Sequence, residues 1–280
     1  MKYGLVVDLG ATNLRVAIIN NNYKIEKKIK CNMDRSKDIA FNIFTEYKKM
    51  NLNYKIEGIV VGVAGSIDFK NNIIRDLPNL KIREYDLNSA LKKLFNVPVK
   101  IVNDASLAAL GEYLNYKDEK VFQYITISSG IGGGLVYKGN LFEGNNGFEQ
   151  EIGRIDVNGQ SFESLCSGNA LKNRLLKENI DEEYASSALL SKKSNYKKVV
   201  NAWLDDLSVG ISSLIKVVNP SVIVFGGGLG CYLDYFKEGL IKRLEDKLPL
   251  DIVNDLKIDK AKYGDDSGLM GGCYLIFQDN

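Results

Sequence analysis

The chain has 280 residues, 45% apolar and 26% charged, a mix that supports a sizeable core and allows one large domain or two of ordinary size. Its 37 basic and 35 acidic side chains leave a net charge of +2, which argues against a nucleic-acid partner or an anionic membrane. Four scattered cysteines (Cys31, Cys166, Cys231, Cys273) form no CxxC pair and fit a reducing cytoplasm, and the absence of histidine excludes Ser-His and Cys-His catalysis.

A strand-like run begins within three residues, so no signal peptide is expected. No apolar stretch approaches the ~20 residues that span a bilayer. Residues 3–8 and 14–19 read as strands joined by a glycine-containing turn, and 23–31 as a third strand with alternating lysine. Residues 38–50 carry Ile39, Ile43, Phe44 and Tyr47 at helical spacing. Residues 58–63 read as a strand broken by Ala64-Gly65-Ser66, 87–95 as a helix, 99–102 as a strand and 105–114 as a small-residue helix.

A second cycle follows. Residues 122–128 predict a strand, 129–134 a glycine-rich turn and 135–138 the partner strand, which suggests a duplicated architecture. Residues 139–162 look irregular. Helices are expected at 165–177, 181–190, 196–218 and 235–248, and a strand at 221–225 runs into Gly226-Gly227-Gly228. A short strand and a helix at 269–277 close the chain. No Pro/Gly/Ser-rich linker is present, and the expected boundary near 118 divides the chain into residues 1–118 and 119–280, with the last helix crossing back to the first part. Tyr113, Tyr116, Tyr124 and Trp203 read as packing residues.

Three glycine turns carry the chemistry. Asp8-Leu9-Gly10-Ala11-Thr12-Asn13 allows the backbone to approach a polyphosphate, with Thr12 and Asn13 as donors and Asp8 placed to hold Mg²⁺ through water. Taken alone, the turn reads first as a plain hairpin capped by Asp. Ser128 to Gly134 places four glycines in seven residues, yet it is neither a Walker A loop nor a dinucleotide fingerprint. A glycine-rich bulge is its bland reading. Gly226-Gly227-Gly228 permits a flat base or ribose against the backbone, or is a simple βα turn.

These turns, with Val102-Asn103-Asp104-Ala105, Ala108 to Glu112, Gly144 to Gly153 and Ser167-Gly168, resemble the ROK family of sugar kinases and sugar-responsive repressors. The resemblance runs from residue 3 to about 277. It implies an α/β, actin/hexokinase-like (ribonuclease H-like) fold of two domains with a cleft between them. It implies that Asn103 and Asp104 bind the sugar with Asp104 as catalytic base, that Gly65 lies against the sugar, and that Glu151 and Glu163 hold further hydroxyls. Asp8, Gly10, Thr12, Asn13, Ser129, Gly130, Gly132 and Gly133 would face the phosphates, and Gly226, Gly227 and Gly228 the adenosine. ATP and Mg²⁺ are the implied cofactors, the implied partner is a hexose or N-acetylhexosamine, and a cytoplasmic homodimer is expected.

The chain departs from the family pattern at Glu151-Ile152-Gly153-Arg154, where family members end in His. Only residues 156–162 stand where the family carries a cysteine-rich zinc loop, so no zinc is expected. Arg154, three residues after Glu151, is expected to stand in for the lost metal, bracing Glu151 and Glu163 from behind or reaching the sugar directly, or is a plain surface arginine. Asp104 has a structural reading as well, since Asn-Asp before an alanine-rich helix is a common cap. The resemblance extends to zinc-less bacterial N-acetylmannosamine kinases, with glucokinase and a sugar-sensing regulator as alternatives. A regulator of this family carries a helix-turn-helix ahead of the first strand, whereas this sequence opens on that strand and is nearly neutral, so a kinase is expected rather than a regulator.

Overall fold

The computed structural model of the protein describes residues 1–10, 13–145 and 147–278. The chain packs into two compact units: Met1–Leu114 with Phe142–Glu149 and Asp266–Asn280, and Asn115–Leu141 with Gln150–Asp265.

The first unit is built on a five-stranded sheet. β1 (Tyr3–Leu9), β2 (Asn13–Asn20) and β3 (Ile25–Asn32) form an antiparallel meander. β4 (Ile56–Val63), which follows α1 (Ile39–Lys49), adds parallel to β1. β5 (Ser66–Asp68), β6 (Ile73–Leu77) and β7 (Ile82–Tyr85) make a separate small antiparallel sheet, in a stretch whose sequence predicts no strands. α2 (Leu87–Phe95) then leads to β8 (Val99–Asn103), parallel to β4, and to α3 (Asp104–Tyr113). The order is β3-β2-β1-β4-β8.

Alternation along β1 decides the layering. Leu5, Val7 and Leu9 join Ile39, Ile43, Leu87 and Leu91 in one core, while Val6 joins Leu269 and Cys273 of the C-terminal helix (Ser267–Phe277) in another. Both faces are buried, which is why β1 and β4 read as continuous apolar runs. α3 and the C-terminal helix cross where neither backbone has room for a side chain. A Cβ at Gly111 would lie 1.9 Å from the Ser267 carbonyl oxygen, and one at Gly271 1.8 Å from that of Leu107. Glu112, fully buried at this crossing, accepts a hydrogen bond from Ser267 Oγ at 2.6 Å.

The second unit repeats the strand pattern. β9 (Val121–Ile127) and β10 (Ile131–Tyr137) are antiparallel, with β11 (Asn140–Leu141) at the edge. A 3₁₀ turn (Ile152–Arg154) and a hairpin of β12 (Asp156–Val157) and β13 (Gln160–Ser161) precede α4 (Phe162–Cys166), α5 (Gly168–Lys177), α6 (Ser186–Leu190) and α7 (Ser194–Val218). β14 (Val222–Gly226) lies parallel to β9. It is followed by α8 (Gly227–Gly230), α9 (Lys237–Glu245), α10 (Leu250–Asp255) and β15 (Lys257–Lys260). The order is β11-β10-β9-β14-β15. Ile125, Ile127, Ile223 and Phe225 face a core centred on Trp203, which is fully buried and donates from Nε1 to the Cys166 carbonyl at 2.9 Å. Tyr113, Tyr116 and Tyr124 are buried as packing residues.

Three expectations need correction. The glycine-rich stretch 129–134 is not a turn throughout: β10 starts at Ile131, and Gly132, Gly133 and Gly134 pair with Thr126, Ile125 and Tyr124. The turn tightens to Ser128–Gly130, closed by Ser128 N donating to the Gly130 carbonyl at 2.9 Å. The expected helix at 165–177 is two helices, because Ser167 leaves helical geometry and caps α5 by accepting from Ala170 N. Of 181–190, only Ser186–Leu190 is helical.

The crossing of α3 and the C-terminal helix yields a test of the fold. Gly111→Ala and Gly271→Ala each force a methyl group into backbone, and each should lower stability by about 1–3 kcal/mol in urea titrations. Unchanged midpoints in both variants would mean that the helices do not approach this closely.

Candidate active site

In the first unit, β8 delivers the chain into α3 through Asn103. This residue is extended (φ −61°, ψ 141°), and its Oδ1 accepts from Ala105 N at 2.9 Å and Ser106 N at 3.2 Å. The cap therefore fixes which end of the amide faces outward. Asn103 Nδ2 lies 3.5 Å from the Gly65 carbonyl oxygen. Asp104 opens α3, its Oδ1 accepting from Ala105 N at 2.8 Å. Gly65 is tied to its own unit: a Cβ there would lie 2.2 Å from the Asp76 carbonyl oxygen.

Asp8 sits near the end of β1 and is the cross-strand partner of Arg15 on β2. Their side chains form an ion pair at 2.9 Å, each about three-quarters covered. The hairpin between them is closed by Gly10 N donating to the Asn13 carbonyl at 3.0 Å. Thr12 lies outside the described residues. Arg15 was not singled out from sequence, although the hairpin register that pairs residues 8 and 15 would have found it. One carboxylate at a strand end suits Mg²⁺, which keeps most of its ligands as waters and phosphate oxygens. Asp8 is the residue that would hold it.

In the second unit, several glycine-bearing segments converge on Ser128. Gly168 N donates to its carbonyl at 2.7 Å, and Gly228 N to its Oγ at 3.3 Å. Gly227 is left-handed (φ 79°), and a Cβ there would lie 2.5 Å from both Ser128 Oγ and Thr126 Oγ1. Gly226 closes β14 over the Tyr124 ring, again without space for a Cβ. The tight turn that carries Ser129 and Gly130 and the Gly226–Gly228 segment thus lie side by side at one end of β9 and β14.

Glu163, on the first turn of α4, reaches across to β10. Its Oε2 accepts from Ile131 N at 2.8 Å, beside Gly130. Gly132 and Gly133 lie within β10, so their backbone groups serve the sheet, and the bare surface at Gly133 makes room for Ile152. Glu151 and Arg154 bracket the 3₁₀ turn and form an ion pair, Arg154 Nε to Glu151 Oε2, at 3.0 Å. Gly153 fits against the Ile131 carbonyl oxygen and the Glu163 side chain. The second unit therefore brings together Glu151, Arg154, Glu163 and Gly130, and the first brings together Asp8 and Arg15 and, at the start of α3, Asn103, Asp104 and Gly65. Among the described residues, no cluster of three or more Cys, Asp or Glu is arranged to hold a metal ion.

Comparison with known proteins agrees with this architecture. An N-acetyl-D-glucosamine kinase of Histophilus somni is 27% identical over 99% of this chain and 99% of its own length. A xylose repressor of Caldicellulosiruptor bescii is 27% identical over 80% of this chain, and the match spans 63% of the repressor. The crystal structure of a ROK family glucokinase from Streptomyces griseus in complex with glucose and AMPPNP covers 99% of this chain and 99% of its own, at 22% identity and a TM-score of 0.78. The fold is the actin/hexokinase-like fold. The ROK family model matches residues 4–279, and the chain belongs to the ROK family.

Proposed function

We propose that the chain transfers the terminal phosphoryl group of ATP to the 6-hydroxyl of an N-acetylhexosamine, with N-acetylmannosamine as the preferred acceptor. The reaction class is that of an ATP-dependent sugar kinase. The N-acetylhexosamine follows from likeness to an N-acetyl-D-glucosamine kinase, and the choice among epimers from the family resemblance of the Arg154 variant without a zinc loop. The resemblance extends the reading to a cytoplasmic homodimer, and the four free thiols suit a reducing compartment.

One observation carries the chemistry. The Asp104 carboxyl is pushed up to about 6, first by the protein packed around it and then by the negative charge of Asp8. The Ala105 N–H and the Arg15 guanidinium pull the other way. The result is a carboxylate that is ionised at neutral pH yet more basic than an ordinary Asp, which suits a general base. Asp104 takes the proton of the 6-hydroxyl, the sugar oxygen bonds to the γ-phosphorus, and the bond to the β–γ bridging oxygen breaks to release ADP. Magnesium, when bound, supplies charge neutralisation on the phosphates. Asn103 Nδ2 is the end of its amide left to donate to a sugar oxygen. Glu163 and Glu151 each commit Oε2 within the protein and keep Oε1 to accept from hydroxyls.

A second reading, a sugar-sensing regulator, draws support from the xylose repressor match. Its net charge of +2 is small for a DNA-binding surface. Sequence-selective DNA binding at moderate salt would favour it.

Three measurements test the reading. In a panel of N-acetylmannosamine, N-acetylglucosamine, glucose and mannose with ATP and Mg²⁺, the first should show the highest kcat/KM. A higher value for glucose would replace the acceptor, and no turnover on any sugar would remove the kinase. Asp104→Asn should lower kcat by about 10²–10⁴ while nucleotide still binds.

The third measurement is stability against pH. Because the folded carboxyl titrates near 6 and an unfolded Asp near 4, the native state binds more protons between those values. Ionised Asp104 therefore costs stability above that window, and the cost vanishes below it. Asp104→Asn should be more stable than the parent at pH 7 by about 2–3 kcal/mol, and nearly equal to it near pH 4. An Asn variant that is less stable at pH 7 would contradict the raised value.

A further inference from the structure

We propose that Gln123 and Gln150 form a positioning pair that sets the aim of Glu151 toward the acceptor sugar. The proposal rests on the reading of Glu151 as a hydroxyl acceptor.

Gln123 lies mid-strand on β9, on the same face as Ile125 and Ile127, and is fully buried. An amide costs free energy in such a place unless its polar atoms are paired. Its Nε2 meets three acceptors: the Tyr124 carbonyl at 2.9 Å, the Gly134 carbonyl at 3.1 Å and Gln150 Oε1 at 2.8 Å. The two backbone carbonyls fix the orientation, since a flipped amide would set oxygen against oxygen. Gln150 must then present its own oxygen, so the orientation of one amide dictates that of the other. Gln123 Oε1 has no hydrogen-bond partner among the described residues. A leucine or methionine would fill the position without that cost.

Gln150 carries a second local cost. Its φ is 59°, in the left-handed region that favours glycine. A non-glycine residue persists there when its surroundings hold it. The two costs are joined by one hydrogen bond and stand directly before Glu151. Beyond Glu151 the turn is already pinned: Ile152 fits over Gly133, Gly153 against the Ile131 carbonyl, and Arg154 N donates to the Glu151 carbonyl at 2.9 Å. The glutamine pair fixes the entry to the turn as these contacts fix its exit. Two neighbouring departures from local preference, coupled to each other and adjoining a proposed binding residue, mark a place where stability is given up for geometry.

The test sets stability against function. Gln150→Gly relieves the left-handed strain, so it should fold with an unchanged or higher urea midpoint. On the proposal, its acceptor KM nevertheless rises about 3–10-fold while the ATP KM is unaltered, and Gln123→Met raises the acceptor KM similarly. The double variant should be no worse than the poorer single variant, because both break the same contact. Hydrogen exchange at the amides of Arg154 and Ile155 should accelerate in both single variants.

A merely structural role predicts an unchanged acceptor KM in Gln150→Gly, and that result overturns the proposal. Multiplicative effects in the double variant also overturn it. Glu151→Gln separates the two layers of inference. If it raises the acceptor KM while the glutamine variants do not, the positioning pair alone fails. If it leaves the acceptor KM unchanged, the reading of Glu151 fails and the proposal falls with it.

Discussion

A carboxylate kept basic by its surroundings is expensive, and the first unit is arranged around that expense. Asp104 feels the charge of Asp8, and what makes this tolerable is backbone geometry. β4 runs between β1 and β8, with Gly62 paired to Asp8 on one side and to Val102 on the other. A Cβ at Gly62 would lie 2.9 Å from Leu107 Cδ1 and 3.7 Å from the Asp104 Cα. The bare backbone of β4 thus lets the first turn of α3 settle against the sheet. The N-terminus of α3 then turns its N–H groups toward Asn103 and Asp104, and the positive end of the helix favours the ionised form. Arg15, cross-strand from Asp8, supplies the remaining positive charge.

The second unit uses the same strand order for a different purpose. Where the first unit concentrates charge, the second clears space. Gly227 and Gly168 bring two further segments against Ser128, and Gly130 admits the Glu163 carboxylate. Several of these contacts are backbone to backbone or backbone to hydroxyl, so side chains at the turn itself are of little use. The acidic groups come from the 150–154 turn and from α4, which both pack onto β10. A sheet strand with three consecutive glycines would be weak alone. Here Gly133 is covered by Ile152, which replaces the missing side chain with one from another segment.

The fold class was legible because its evidence is local. β1, β4, β9 and β14 are apolar runs bounded by glycine, and α1, α2 and α7 show helical spacing. The strand-to-helix junction at Asn103-Asp104 was readable for the same reason. The small β5–β7 sheet was not: its strands are short and carry Asp68, Arg75, Asp76 and Arg83, so no apolar alternation stands out. The extent of β10 is hidden in the sequence because its glycines read as a turn signal, whereas they pair in the strand and serve close packing. Arg15 is visible only once a register is assigned, and the Gln123–Gln150 contact spans 27 residues with no periodic sign at either end.

The two polar contacts that flank Glu151 differ in kind. The Arg154 pair is largely exposed, with 72% of the arginine side chain and 38% of the glutamate open to solvent. Such pairs contribute about 0–1 kcal/mol and are screened by salt. The Arg154–Glu151 ion pair is therefore a weak constraint on the turn. The Gln123 contact is buried, neutral and insensitive to salt, and two backbone carbonyls define its orientation. Rigid aim has to come from that buried side, because the exposed ion pair is a weak constraint. The backbone around Glu151 is thus fixed by buried contacts on one side, while its carboxylate meets only the exposed, weakly constraining pair on the other.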